Sequence, residues 1–82
     1  MQVEYFNNFR ANVRILIEDG GISQRSLGEI AGLSYPYINR ILQGTVNPSI
    51  DVCENIAKAL GAAFVDLLQK PKDFQKNFTV HT

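Results

Sequence analysis

The chain has 82 residues, with eight Lys or Arg against eight Asp or Glu, and so a formal charge of zero. That length holds one domain with one core, and 45 % hydrophobic residues exclude a disordered chain. No apolar run approaches the roughly 20 residues of a membrane helix, the start Met1–Phe6 lacks the features of a signal peptide, and the lone Cys53 excludes an internal disulfide and a cysteine-based zinc site.

A cytoplasmic location follows as the expectation. The first predicted helix runs from Val3 to Asp19. Phe6, Phe9, Val13, Leu16 and Ile17 recur on one side of it, and Ile15 points to the opposite side. Arg10 and Arg14 are expected in solvent, with Arg14 and Glu18 as a weak i,i+4 pair. Gly20-Gly21 stops the helix, because glycine enters the left-handed region at low cost.

The second helix is predicted over Gln24–Ala31 with Ser23 as its N-cap. Leu27, Ile30 and Ala31 form its buried stripe. Gly28 weakens a helix interior by roughly 1 kcal/mol against Ala, which reads as room for the close approach of a neighbour. The turn Gly32-Leu33-Ser34 leads into a third helix, Tyr35–Gln43. Ser34 is its cap, and Pro36 sits in the first turn, where the missing N–H has no helical partner to lose. Ile38, Ile41 and Leu42 face inward. The opposite side carries Pro36, Asn39, Arg40 and Gln43, with Tyr35 and Tyr37 on its two edges.

Gly44 ends the third helix. A fourth begins after Asn47 or Ser49 as cap, with Pro48 suited to its first position, and repeats Ile50, Cys53, Ile56, Ala57 and Leu60 at helical spacing up to Gly61. Cys53 reads as a small buried hydrophobe. Phe64, Leu67 and Leu68 form a short fifth helix that Lys70-Pro71 breaks. From Lys72 to Thr82 two readings stand open: a helix pairing Phe74 with Phe78, or a strand over Phe78–Thr82. The fold class is therefore an all-α bundle of five short helices, divided into residues 1–69 and a tail of 70–82 that ends as an arm or strand.

Two short helices joined by a tight turn, residues 24–43, make a helix-turn-helix, a unit that can present its second helix to the DNA major groove. Zero net charge weighs against high affinity, since phosphate neutralisation supplies most non-specific binding. Modest affinity per subunit, raised by dimerisation and by neutral hydrogen-bond donors, is the expectation.

Ser23-Gln24, Leu27, Ala31-Gly32-Leu33-Ser34, Ile38, Gly44, Asn47-Pro48-Ser49, Ile56–Gly61 and Asp66-Leu67-Leu68 in this order resemble the phage repressor/Cro type of helix-turn-helix regulator, the lambda-repressor-like DNA-binding domain. The resemblance covers about residues 10 to 69. It implies five helices, a homodimer on a two-fold-symmetric operator and transcriptional control, most often repression, in a phage, plasmid or other mobile element. It places base-facing side chains at Tyr35, Pro36, Tyr37, Asn39 and Arg40. Phosphate contacts fall on Gln24, Gln43, Thr45 and Asn47, with Ser23, Arg25 and Ser34 beside them. Phe64, Val65, Phe74, Phe78 and Val80 are the candidates for a dimer contact, and the tail is also a candidate docking site for a protein partner.

The chain departs from that family in three places. Many members pair a buried Arg on the first helix with a Glu near the end of the third. Ile17 and Leu42 stand there, so an apolar contact replaces the ion pair, an exchange that often costs nothing. The third helix opens Tyr-Pro-Tyr rather than with Gln or Lys, which leaves Arg40 as the best candidate for guanine and Asn39 for adenine. Arg25 occupies a position that is often acidic.

No catalytic set emerges. The one histidine, His81, lies next to the end of the chain, and there is no phosphate-binding glycine loop, metal motif or cofactor motif. The alternative to DNA binding is a protein-interaction module on the same fold, such as an antitoxin or adaptor. Zero charge, the Tyr-Pro-Tyr opening and the apolar tail favour it.

Overall fold

The structure, a computed structural model, describes residues 3–79, with side chains over 4–76. Five α-helices and one 3-10 helix follow in order: α1 (Val3–Gly20), α2 (Gln24–Ala31), α3 (Tyr35–Gln43), α4 (Ile50–Ala59), a 3-10 helix (Phe64–Leu68) and α5 (Pro71–Thr79). Among the described residues no helix is long and apolar enough to cross a membrane.

Serines set three of the starts. Ser23, Ser34 and Ser49 hold extended backbone and accept hydrogen bonds from the amides of Ser26, Tyr37 and Val52, which satisfies groups that lack a partner in a first turn. Ser49, rather than Asn47, is the cap of α4. Pro48 therefore lies outside the helix, buried in the loop, and not at its first position. Gly32 and Gly44, at φ 74° and 85°, terminate α2 and α3.

The core gathers Phe9, Val13 and Ile17 from α1, Leu27 from α2, Ile38, Ile41 and Leu42 from α3, and Cys53, Ile56 and Ala57 from α4. Leu67 of the 3-10 helix and Phe74 of α5 complete it. Burial of each large apolar side chain is worth about 1.5–3 kcal/mol, so these residues hold the helices at their mutual angles. Within the motif, α2 and α3 approach closely at Gly28. A Cβ built there would lie 2.6 Å from the Leu33 carbonyl oxygen, so the neighbour that needs this glycine is the motif's own turn.

Several apolar side chains sit elsewhere than their spacing predicts. Ile30 is 62 % exposed. The inward face of α2 centres on Leu27 and Gly28, and Ile30 falls roughly 200° round the helix from Gly28. Ile50 is 60 % exposed, at the first turn of α4, where it edges an apolar groove of about 290 Å³ shared with Tyr5, Phe6 and Phe64. Ile15 is half-buried against the core rather than turned to solvent. Its side of α1 continues from Asn8 and Asn12, which donate to Leu68 O at 3.1 Å, and to Leu67 O and Gln69 O at 3.0 and 2.8 Å. Those bonds fasten the C-terminal elements to a second face of α1.

The C-terminal elements also differ. Phe64–Leu68 winds as a 3-10 helix, and Pro71 opens a further helix, as proline at a first helical position permits. The strand alternative fails at Phe78 and Thr79, which are helical. Val80, His81 and Thr82 lie outside the described residues.

Candidate nucleic-acid interface

The amphipathic residues of α3 divide cleanly. Ile38, Ile41 and Leu42 are 1 %, 0 % and 5 % exposed. Tyr35, Pro36, Arg40 and Gln43 are exposed, and Tyr37 and Asn39 are half-buried at the margins. The helix is thereby anchored along one side and presents an arginine, two amides, a proline and a phenol on the other.

Contacts across the motif join residues on α2 to residues on α3. The Asn39 amide Nδ2 donates to Gln24 Oε1 at 3.1 Å. The Arg25 guanidinium carbon lies 4.7 Å from the Tyr35 ring centroid, a cation–π contact. Gln24 and Arg25 open α2, Tyr35 opens α3, and the two starts lie together. Main-chain amides in first turns and the positive ends of the helix dipoles make such starts favourable places for anions.

The expected phosphate residues have local work as well. The Ser23 and Ser34 hydroxyls act as the caps of α2 and α3. Thr45 Oγ1 donates to Arg40 O at 3.2 Å, closing the C-terminal end of α3. Asn47 accepts through Oδ1 from Arg10 Nη2 at 2.7 Å. Arg25, Gln43, Thr45 and Asn47 are exposed, and Gln24 is half-buried.

Arg10 overturns the expectation of a solvated side chain. It is 9 % exposed. Its Nε donates to Ile41 O at 2.7 Å, its Nη1 to Asn7 Oδ1 at 3.0 Å, and its Nη2 also to Val46 O at 3.3 Å. Arg14 stays exposed, but its Nη2 donates to Leu42 O at 2.8 Å instead of pairing with Glu18. The last carbonyls of α3 form the negative end of its dipole, and Ile41 O accepts from Gly44 N at 3.1 Å as well as from Arg10, so both arginines add donors at the end of this helix. The available signal was the i,i+4 spacing of Arg10 and Arg14 on the flank of α1 that continues to Ile17.

The dimer candidates scatter. Val65 is 67 % exposed. Phe64 is half-buried, edge-on to Phe9 with ring centroids 6.0 Å apart. Phe74 is 0 % exposed and belongs to the core of its own chain, because α5 packs against α1. It has no surface to offer a second subunit. The Phe78 side chain and Val80 lie outside the described residues.

Cys53 lies 1 % exposed in the core. Burial pushes its thiol from 9.0 up to about 11, with the charge of Arg10 opposing the rise and Glu54 adding to it. A thiol so protonated is no nucleophile at neutral pH.

The helix-turn-helix family matches residues 13–67, which include all of α2, α3 and α4 and the joining turns. This chain belongs to the helix-turn-helix family. The helix-turn-helix protein is 42 % identical over 48 residues to an uncharacterised HTH-type transcriptional regulator of Mycobacterium tuberculosis, in each of two strains. That match covers 58 % of this chain and 34 % of the relative, so the chain spans about a third of the length of the curated relatives it matches. It also superposes on the crystal structure of the hypothetical transcription factor NHTF from Neisseria with a TM-score of 0.82 and 28 % identity. The superposition covers 93 % of this chain and 85 % of that one.

Proposed function

We propose that this helix-turn-helix protein is a sequence-specific double-stranded DNA-binding regulator of transcription, acting as a homodimer and most often as a repressor. The observation that carries the reading is the division of α3, whose inner side is buried and whose outer side presents Arg40, Asn39, Pro36 and Tyr35 with no core duty. An exposed helix of nine residues, fastened at its end by Arg10 and Arg14, is a rigid probe of the width that the major groove admits. Arg40 reads guanine through two parallel donors. Asn39 reads adenine with the amide atoms that Gln24 leaves available. Ser23, Gln24, Arg25, Ser34, Gln43, Thr45 and Asn47 line the phosphates. The kinship with transcriptional regulators supports the same reading.

Selection of sites from a random duplex library at physiological salt tests it. The expected result is an enriched palindrome with half-sites about 34 Å apart, relaxed at one position by Arg40→Ala at a cost of about 1–3 kcal/mol. Affinity falls steeply with added salt. A promoter overlapping the selected site should lose output when the protein is present. A folded protein that enriches nothing would instead be an interaction module of the same fold.

A further inference from the structure

We propose that Arg25 and Tyr35 act as one stacked unit that reads a thymine methyl group, with Arg25 as the positioning residue for the tyrosine ring. The inference rests on the DNA-binding reading above and names what one end of the interface recognises.

Tyr35 is the first residue of α3 and is 40 % exposed. Unsupported, a ring at that place exchanges among rotamers, and ordering it on binding costs affinity. The guanidinium of Arg25, 4.7 Å from the ring centroid, supports one face of it. The ring stays partly open to solvent, and the next residue, Pro36, is also exposed and has no N–H to donate. Both therefore offer exposed apolar surface at the start of an otherwise polar helix face. The apolar feature that base edges show in the major groove is the C5-methyl of thymine. The stack needs a planar cation, and an ammonium on a flexible stem does not replace it.

The experiment takes the site selected by the whole chain and replaces each thymine in turn by deoxyuridine, which removes the methyl alone. One thymine is expected at which the wild type loses about fourfold in affinity, the worth of one methyl-sized group withdrawn from water. Tyr35→Ala should be indifferent to that replacement. Arg25→Lys keeps the charge, so its dependence on salt should match that of the wild type while most of the thymine preference is lost. Arg25 is exposed, and an unchanged melting curve for the lysine variant confirms that only the stack has gone. Retention of the full thymine preference by Arg25→Lys overturns the proposal, as does indifference of the wild type to every replacement. Either result leaves sequence-specific binding standing. A wild type that enriches no site overturns both readings at once.

Discussion

The Nε of Arg10 donates to the main-chain carbonyl of Ile41 across 2.7 Å, joining α1 to the last turn of α3. The partners of this arginine are two main-chain carbonyls and the side-chain oxygens of Asn7 and Asn47. A buried cation is costly unless its donors are satisfied, and here it spends them on a helix end and on the loop that follows. Phe6 adds its ring, 5.9 Å from the guanidinium carbon. The helix that faces outward is thus held from behind by the chain's first helix.

Replacing Arg10 tests that anchor. Arg10→Ala takes a charged donor from the Val46 carbonyl and from the Ile41 carbonyl, which keeps the Gly44 N–H at 3.1 Å, and should cost about 1.5–3 kcal/mol for the lost hydrogen bonds to a charged group. Arg10→Lys recovers only part, because one ammonium cannot span these acceptors. Urea unfolding followed by circular dichroism measures both. A midpoint unmoved by Arg10→Ala would show that the anchor carries no stability.

Ile17 and Leu42 share the core cluster, at 8 % and 5 % exposed. Ile17→Arg alone buries a charge without a partner and is expected to cost about 3–5 kcal/mol. Adding Leu42→Glu restores a pair and should regain part of that loss. A double-mutant cycle with no coupling would argue that the two positions do not compensate each other.

Gly28→Ala inverts the usual helix preference. Alanine is favoured over glycine by roughly 1 kcal/mol in a helix interior, yet its Cβ would meet the Leu33 carbonyl at 2.6 Å. The turn must move, and a net loss of about 1–3 kcal/mol is expected, as for other overpacked sites. Thermal melting gives the sign directly, and a rise in Tm would mean that the turn yields freely.

The folded Cys53 thiol keeps its proton to about pH 11, against 9.0 ordinarily. Between those values the folded state binds more protons than the unfolded one, so this group's contribution is full below pH 9.0 and is lost as pH rises toward about 11. The stability gap between the wild type and Cys53→Ala should narrow over that window. A gap constant with pH would contradict the shift. At pH 8 the native thiol should resist alkylation until the protein is unfolded.

Gln24 and Asn39 should act as a pair in DNA binding. Their hydrogen bond fixes the orientation of the Asn39 amide, so Gln24→Ala and Asn39→Ala are expected to be non-additive. The anticipated coupling is about 0.5–1.5 kcal/mol, the net worth of one hydrogen bond. Affinities of the two single variants and the double variant on the selected site measure it, and strict additivity would break the link.

Local chemistry made much of this protein legible from its residues. Ser23 and Ser34 before two helices, Gly32 and Gly44 after them, and the inward spacing of Ile38, Ile41 and Leu42 depend on neighbours within about four positions. The helix-turn-helix and the outward side of α3 follow from those alone. The rotation of α2 that turns Ile30 outward depended on how closely Gly28 meets Leu33. The burial of Arg10 depended on the Ile41 carbonyl, 31 positions away, and that of Phe74 on α5 folding back onto α1. The Arg25–Tyr35 stack required two helix starts to be placed side by side, and the Gln24–Asn39 bond required the start of α2 to meet the middle of α3. Periodicity names the face a helix can bury, but only the packed neighbours decide how far that face turns and which polar groups meet.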